Sequence, residues 1–171
     1  MSAHDLTLRR GGPADVRTVL GLLDAANRWL AARGRTDQWG TEPHSTNPRR
    51  MAQVTSYATS GELYLADHDG GSTVAALALG EAPDHIPHCP APHVYINLLV
   101  ADPGGPGKGA GAVLLDLGRT RAREQGVNLL RVDCYRGPDR ALIGYYEKQG
   151  FTPAEEFTVR SWPGQVLQQK L

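Results

Sequence analysis

Two periods of apolar residues alternate along this chain, and the switches between them mark its elements. Leu6-Thr7-Leu8-Arg9 alternates, as a half-buried strand does. Val16, Val19, Leu20, Leu23, Asn27 and Leu30 then recur at helical spacing. Pro13 suits the first turn of that helix, and Gly34 stops it near Arg33. Arg35 to Thr46 has no period and reads as a loop. Asn47-Pro48 opens a second helix, with Asn47 as its cap and Gly61 just past its end at about Ser60.

Strands follow at Leu63 to Asp67 and Thr73 to Leu79, with Asp69-Gly70-Gly71 as the hairpin signal between them. Glu81 to Pro92 is rich in Pro and His and reads as a loop. Val94 to Val100 is nearly all apolar, the mark of a buried central strand. A helix is expected over Gly109 to Gln125, with Ala110, Val113, Leu114 and Leu117 inward and Arg119, Arg121 and Arg123 toward water. Leu129 to Tyr135 is the next strand. Gly137-Pro138-Asp139 introduces a short helix to Gln149, Phe151 starts a strand, and Phe157 to Trp162 alternates as another. This order predicts an α+β fold: a mixed, mostly antiparallel central sheet flanked by helices.

Composition narrows the classes. A chain of 171 residues suits a single domain over 1–171 with one sizeable core. The formal net charge of zero provides no broad basic field for nucleic acid or for an anionic membrane. No apolar run is long enough to span a bilayer, and the N-terminus lacks a signal-peptide pattern. Cys89 and Cys134 have no metal-type spacing. The expectation is a cytoplasmic protein without structural disulfides, a nucleic-acid partner or a bound metal.

The chemistry concentrates where the central strand turns into the third helix, at Asp102-Pro103-Gly104-Gly105-Pro106-Gly107-Lys108-Gly109-Ala110-Gly111-Ala112. Glycines there let the backbone approach a ligand, and a helix N-terminus offers unpaired N–H groups and a positive dipole end. Together they suit a phosphate or pyrophosphate. A P-loop is excluded, because Gly107-Lys108 is followed by Gly109 and Asp102 stands where its first glycine belongs. Gly107, Gly109 and Ala112 match a dinucleotide fingerprint, with Asp133 further on. The element order disfavours that reading, since a doubly wound fold places its glycine loop after the first strand.

The same stretch resembles the acetyl-CoA loop of the GCN5-related N-acetyltransferases: a strand, Asp/His-Pro, two residues, then Arg/Gln-Gly-x-Gly-x-Gly/Ala and a helix. The fit is without a gap, and Pro106 stands at the Arg/Gln position. Asp139-Arg140-Ala141-Leu142-Ile143-Gly144-Tyr145-Tyr146-Glu147-Lys148-Gln149-Gly150-Phe151 resembles the family's Asn-x-x-Ala-x-x-x-Tyr-Glu-x-x-Gly-Phe ending, with Asp139 at the usual Asn. The detailed resemblance covers roughly Val94 to Phe151. It implies acetyl-CoA as acyl donor, held by Gly107, Lys108, Gly109, Ala110, Gly111 and Ala112, with Asp139 assisting. It also implies that the strand before the loop splays from its neighbour, so that Leu99, Val100 and Ala101 pair with the pantetheine arm.

Acyl transfer from a thioester to an amine requires an amine that loses a proton and a thiolate that gains one. The resemblance makes Tyr146 the proton donor. Tyr145 lies about 100° round the helix and cannot face the same site. His93 stands just before the central strand, where some family members carry a Glu base, and Glu81 ends the preceding strand. His85 and His88 read as solvated loop residues, Lys108 as a solvated lysine, and Cys134 as an inert core thiol. The family's acceptor lid falls on Trp29, Gln38, Trp39, His44 and Tyr57. The expected reaction is N-acetylation of a primary amine on a small molecule or peptide. An acyl-CoA-binding sensor without turnover and a nucleotide-dependent oxidoreductase are the competing readings. A homodimer is admitted, and the sequence sets no oligomeric state.

Overall fold

The computed structural model describes residues 5–69 and 71–171. Seven strands, β1 (Leu6–Arg10), β2 (Leu63–His68), β3 (Thr73–Gly80), β4 (Val94–Ala101), β5 (Leu129–Tyr135), β6 (Thr152–Val159) and β7 (Trp162–Lys170), lie in the order β1-β2-β3-β4-β5-β7-β6. Four helices accompany them: α1 (Val16–Ala32), α2 (Pro48–Ser60), α3 (Ala110–Glu124) and α4 (Ala141–Lys148). β4 and β5 run parallel, while β1–β2, β2–β3, β5–β7 and β6–β7 are antiparallel. This is the mixed, mostly antiparallel sheet that the element order implied. A doubly wound parallel sheet is not formed, so the dinucleotide reading falls with the fold. No helix among the described residues is long and apolar enough to cross a membrane.

The chain divides into two compact units. The first runs up to Leu79 and takes in Leu98–Asp116. Its core joins α1 and α2 to the strands through Val19, Leu23, Val54, Leu63, Leu65 and Val100. The predicted signals act as read. Asn47 Oδ1 accepts from the N–H groups of Arg49 (3.0 Å) and Arg50 (3.2 Å), so two of the orphan donors at the start of α2 are satisfied. Gly61 takes the left-handed conformation (φ 89°) that ends the helix. Pro13 lies in a 3-10 turn, Pro13–Asp15, that leads into α1. The hairpin between β2 and β3 is formed, and Gly70 of its Asp69-Gly70-Gly71 signal lies outside the described residues.

The second unit comprises Gly80–Asn97 and Leu117–Leu171. β5 pairs with β7 along its whole length, from Leu129↔Lys170 to Tyr135↔Gly164. Ile86, Tyr95 and Val166 form a core cluster, with Phe157 packed against it. Arg131 on β5 is fully buried, with Glu155 and Gln168 as partners.

Two expectations are corrected here. Phe157 to Trp162 is not one strand: it ends β6, turns at Arg160-Ser161 and begins β7. Both turn residues have positive φ (52° and 81°), the sense that a two-residue hairpin loop needs. No Asn-Gly or Asp-Gly pair announces the turn, and Pro163-Gly164 reads as a breaker although it lies within β7. Gly164 is required there because a Cβ would meet the Phe157 ring, 2.6 Å from Cε1. The second correction concerns Arg119. It does not point to water: its Nε donates to Gln169 Oε1 (2.7 Å), its Nη2 donates to the Gln149 carbonyl (2.6 Å), and its guanidinium lies 5.8 Å from the Phe151 ring centroid.

Leu65 is fully buried in the first unit's core. Leu65→Ala should therefore destabilise the protein by about 2–5 kcal/mol, the cost of lost transfer energy plus the cavity. Urea denaturation should show a lower midpoint with an unchanged slope.

Candidate functional site

Geometry in the glycine-rich loop begins at Asp102. Its N–H donates to the Val74 carbonyl (2.7 Å) and its Oδ1 accepts from the Gly104 N–H (2.8 Å), so the end of β4 is held on both sides. Gly105–Gly107 forms a 3-10 turn. Gly107 then packs so closely on Asp102 that a Cβ would overlap the Asp102 carbonyl oxygen and sit 2.8 Å from its carbon. Gly109 adopts φ 84° directly before α3, with nothing within 4 Å of where a Cβ would stand. These two glycines have different physical reasons: close backbone approach at Gly107 and left-handed backbone at Gly109.

The loop's amides divide accordingly. The N–H groups of Gly107 and Lys108 donate to the carbonyls of Gly104 and Gly105, each at 3.1 Å, and are consumed in the turn. The first bond into α3 runs from Val113 N–H to the Gly109 carbonyl (3.4 Å). The amides of Gly109, Ala110, Gly111 and Ala112 therefore precede the helical ladder, where the N-terminal donors and the dipole favour an anion. Lys108 is exposed, as expected of a solvated loop lysine. Pro106 lies exposed in the 3-10 turn and supplies neither a cationic side chain nor an amide donor.

Elsewhere in the same unit, the predicted lid residues separate into two groups. Trp39 and His44 come together edge to face, with ring centroids 5.3 Å apart. Trp39 and Tyr57 pack on the core between α1 and α2, and Gln38 is half-buried beside them in sequence. Trp29 belongs to neither contact: it lies on the exposed side of α1 with the Arg33 guanidinium 3.8 Å from its ring centroid. Sequence reasoning missed three polar residues that tie down the segment around His44. Asp24 Oδ1 accepts from the His44 N–H (2.6 Å) and the Ser45 N–H (3.3 Å). Arg50 Nε donates to His44 Nδ1 (3.2 Å), which places the ring hydrogen on Nε2. Asn27 Nδ2 donates to the Glu42 carbonyl (3.1 Å). His44 Nε2 and Asn27 Oδ1, one donor and one acceptor, are both buried without a hydrogen-bond partner among the described residues. An Asn at a core-facing position of α1 was the available signal. Burial, and next the Arg50 charge, hold the His44 pKa below the ordinary imidazole value.

In the second unit, α4 presents its two tyrosines differently. Tyr146 is 6% exposed and packs edge to face on Phe151, with centroids 5.6 Å apart, whereas Tyr145 is 36% exposed. Burial pushes the Tyr146 phenol well above its ordinary range, with the Cys134 thiol adding to the effect. Asp139 Oδ1 accepts from the Ala141 N–H (3.1 Å) at the start of α4. His93 Nδ1 lies 2.8 Å from the Ala91 carbonyl. A carbonyl can only accept, so Nδ1 carries a hydrogen. Glu81 is exposed just after β3. Cys134 is buried and its pKa is pushed up to about 12, which keeps it a neutral thiol. His85 contacts Phe157, and Tyr95 donates to Asp133.

Comparison with known proteins bears on all of this. The family model described as "Acetyltransferase (GNAT) family" matches residues 25–151. The chain belongs to the GNAT acetyltransferase family. No curated protein matches it. Among solved structures, a GNAT-family acetyltransferase from Listeria monocytogenes is 19% identical with a TM-score of 0.73, covering 97% of this chain and 95% of its own. An agmatine N-acetyltransferase is 16% identical with a TM-score of 0.71, covering 98% of this chain and 100% of its own. The yncA protein from Salmonella typhimurium, solved with its cofactor acetyl-CoA, is 19% identical with a TM-score of 0.65, covering 98% and 94%. These likenesses place this GNAT chain in the fold.

The neutral His44 inside this GNAT protein makes its stability depend on pH. The folded-state pKa lies below the unfolded value of 6.5, so the unfolded chain binds the proton more readily. Stability should fall as pH drops through the unfolded value and level off below the folded one. Urea midpoints in neutral and mildly acidic buffer should differ more for wild type than for His44→Gln.

Proposed function

We propose that this GNAT protein transfers an acetyl group from acetyl-CoA to a primary amine of a small molecule or peptide, by direct attack of the amine on the thioester. The observation that carries the reading is the loop before α3. There Gly107 is pressed on Asp102, Gly109 is left-handed, and the amides of Gly109 to Ala112 lie ahead of the helical ladder. That arrangement suits the pyrophosphate of a CoA thioester. Leu99, Val100 and Ala101 at the end of β4 supply backbone groups for the pantetheine arm, with Gly107 and Lys108 shaping the loop and Asp139 assisting from the start of α4. Trp39 and His44, with Gln38 beside them in sequence, take the acceptor side in this reading, and Trp29 on the exposed side of α1 lies apart from their contact.

In this reading Tyr146 donates the proton that the CoA sulfur takes as the carbon–sulfur bond breaks. Its raised pKa keeps the phenol protonated through neutral pH. His93, through Nε2, and Glu81 pass the nitrogen's proton on to solvent. Pro106 favours a second reading, an acyl-CoA sensor that binds without turnover, because the residue at this position gives up a cationic contact and an amide. Calorimetric titration with acetyl-CoA, followed by thiol release over a panel of amines, separates the two: binding with turnover supports the enzyme, binding alone the sensor.

Two variants test the parts. Gly109→Ala must hold a Cβ at φ 84°, a strain of about 1–2 kcal/mol. It should weaken acetyl-CoA binding by roughly tenfold or more as the loop shifts to relieve that strain. Unchanged affinity in a variant that melts like wild type would remove the loop from the site. Tyr146→Phe should lower kcat by about 10²–10⁴-fold with little change in KM for acetyl-CoA. Tyr145→Phe should stay near wild type. Equal losses in the two variants would indicate packing of α4 and not proton donation.

A further inference from the structure

A carboxylate that none of the steps above uses sits at the end of a strand ladder in the second unit. β4 and β5 pair from Val94↔Leu130 to Ile96↔Val132, and Asp133 is the next residue of β5. Tyr95, fully buried on β4, donates from its hydroxyl to Asp133 Oδ1 at 2.6 Å. A short bond from an immobile phenol fixes the direction in which the carboxylate presents its remaining lone pairs. Asp133 keeps partial contact with solvent, while Cys134 beside it is buried. Strand alternation places the two on opposite faces of the sheet. It is the Cys134 thiol, more than Asp133, that bears on the Tyr146 hydroxyl. Asp133 and Cys134 are thus set toward different sides of β5, and both act on the Tyr146 hydroxyl.

The charged and titratable groups that act on Asp133, or that it acts on, come from several elements. His85 acts from the loop before β4, Tyr95 from β4, and Cys134 and Tyr146 from β5 and α4. Arg131, on the same face of β5, donates from Nε to Gln168 and pairs through Nη2 with Glu155, while its buried Nη1 has no hydrogen-bond partner among the described residues. The β7 residue opposite Asp133 is Val166, which carries no charge. Burial raises the Asp133 pKa above the usual carboxylate range, and the hydrogen bond from Tyr95 opposes that rise. The carboxylate is therefore more basic than an exposed one, which matches the task of removing a proton from nitrogen.

We propose that Asp133 is the group that first takes the proton lost by the acceptor nitrogen, with Tyr95 as its positioning residue. This inference rests on the N-acetyltransferase reading. The neutral amine's lone pair forms the nitrogen–carbon bond at the thioester carbonyl, and the carbon–sulfur pair leaves on sulfur. One proton passes from nitrogen to Asp133 and one from Tyr146 to sulfur. Exchange with solvent through His93 and Glu81 returns the Asp133 proton and reprotonates Tyr146, so no proton is gained or lost overall.

The test is the pH profile of thiol release for wild type, Asp133→Asn and Tyr95→Phe, run with an amine that turns over in wild type. Thermal melts of each variant and a ¹³C titration of the Asp133 carboxyl accompany it. Asp133→Asn should lose about 10²–10⁴-fold in kcat/KM with acetyl-CoA affinity little changed. In Tyr95→Phe the carboxylate loses a donor that favours its charged form, so the acidic limb should move to higher pH. A merely structural pair would leave that limb in place. Near-wild-type rates in Asp133→Asn, or an unmoved limb in folded Tyr95→Phe, overturn the inference and leave the acetyltransferase reading intact. Should neither variant fold, a wild-type carboxyl titrating in the ordinary aspartate range overturns it as well. Absence of turnover with every amine overturns the parent reading, and this inference with it.

Discussion

The tight contact between Gly107 and the Asp102 carbonyl is the constraint on which the loop depends. A side chain at Gly107 would overlap that oxygen, so only glycine lets the chain fold back on the end of β4. The fold-back is anchored from the sheet side by the Asp102 N–H on Val74 and from the loop side by the Asp102 carboxylate on Gly104. The chain then enters α3 through a left-handed Gly109, which leaves the helix's first amides ahead of the ladder. The anion site is thus a consequence of backbone sterics before any side chain is considered. This also explains how Pro106 is tolerated: a 3-10 turn accepts a proline at its start, and the amides that count lie beyond it.

Each unit also carries polar groups inside otherwise apolar packing. In the first, burial and next the Arg50 charge hold the His44 pKa low, and Asp24 ties down the backbone around it. Two buried atoms there, His44 Nε2 and Asn27 Oδ1, remain without partners among the described residues. Native interiors seldom leave such atoms unsatisfied, because each costs about 1–3 kcal/mol. In the second unit, the Tyr95–Asp133 bond and the Arg131–Glu155 pair place charge in the sheet. Apolar residues of similar size would often stabilise the fold as well, so these groups do not mark where its stability comes from.

Much of the fold was legible locally. The Asn47 cap, the Gly61 stop, the hairpin between β2 and β3, the bounds of β5 and the glycine loop before α3 follow from short-range rules: which residues cap, which adopt positive φ, and where the apolar period changes. The resemblance to the family was legible in two such local motifs at a set separation. Tertiary contacts decided the rest. The turn at Arg160-Ser161 has no favoured turn residue; it forms because β6 and β7 pair across it and Phe157 covers Gly164. Arg119 reads as a solvated charge until Gln169 and the Gln149 carbonyl, 50 and 30 positions away, meet it. The partnership of Tyr95 with Asp133 joins residues 38 positions apart, and His44 meets Asp24 20 positions back. The sequence by itself determined where elements begin, turn and end, because those rules act within a few residues. Only the folded chain decided which polar side chains are buried, paired and shifted in pKa, because desolvation and pairing depend on neighbours that sequence distance does not reveal.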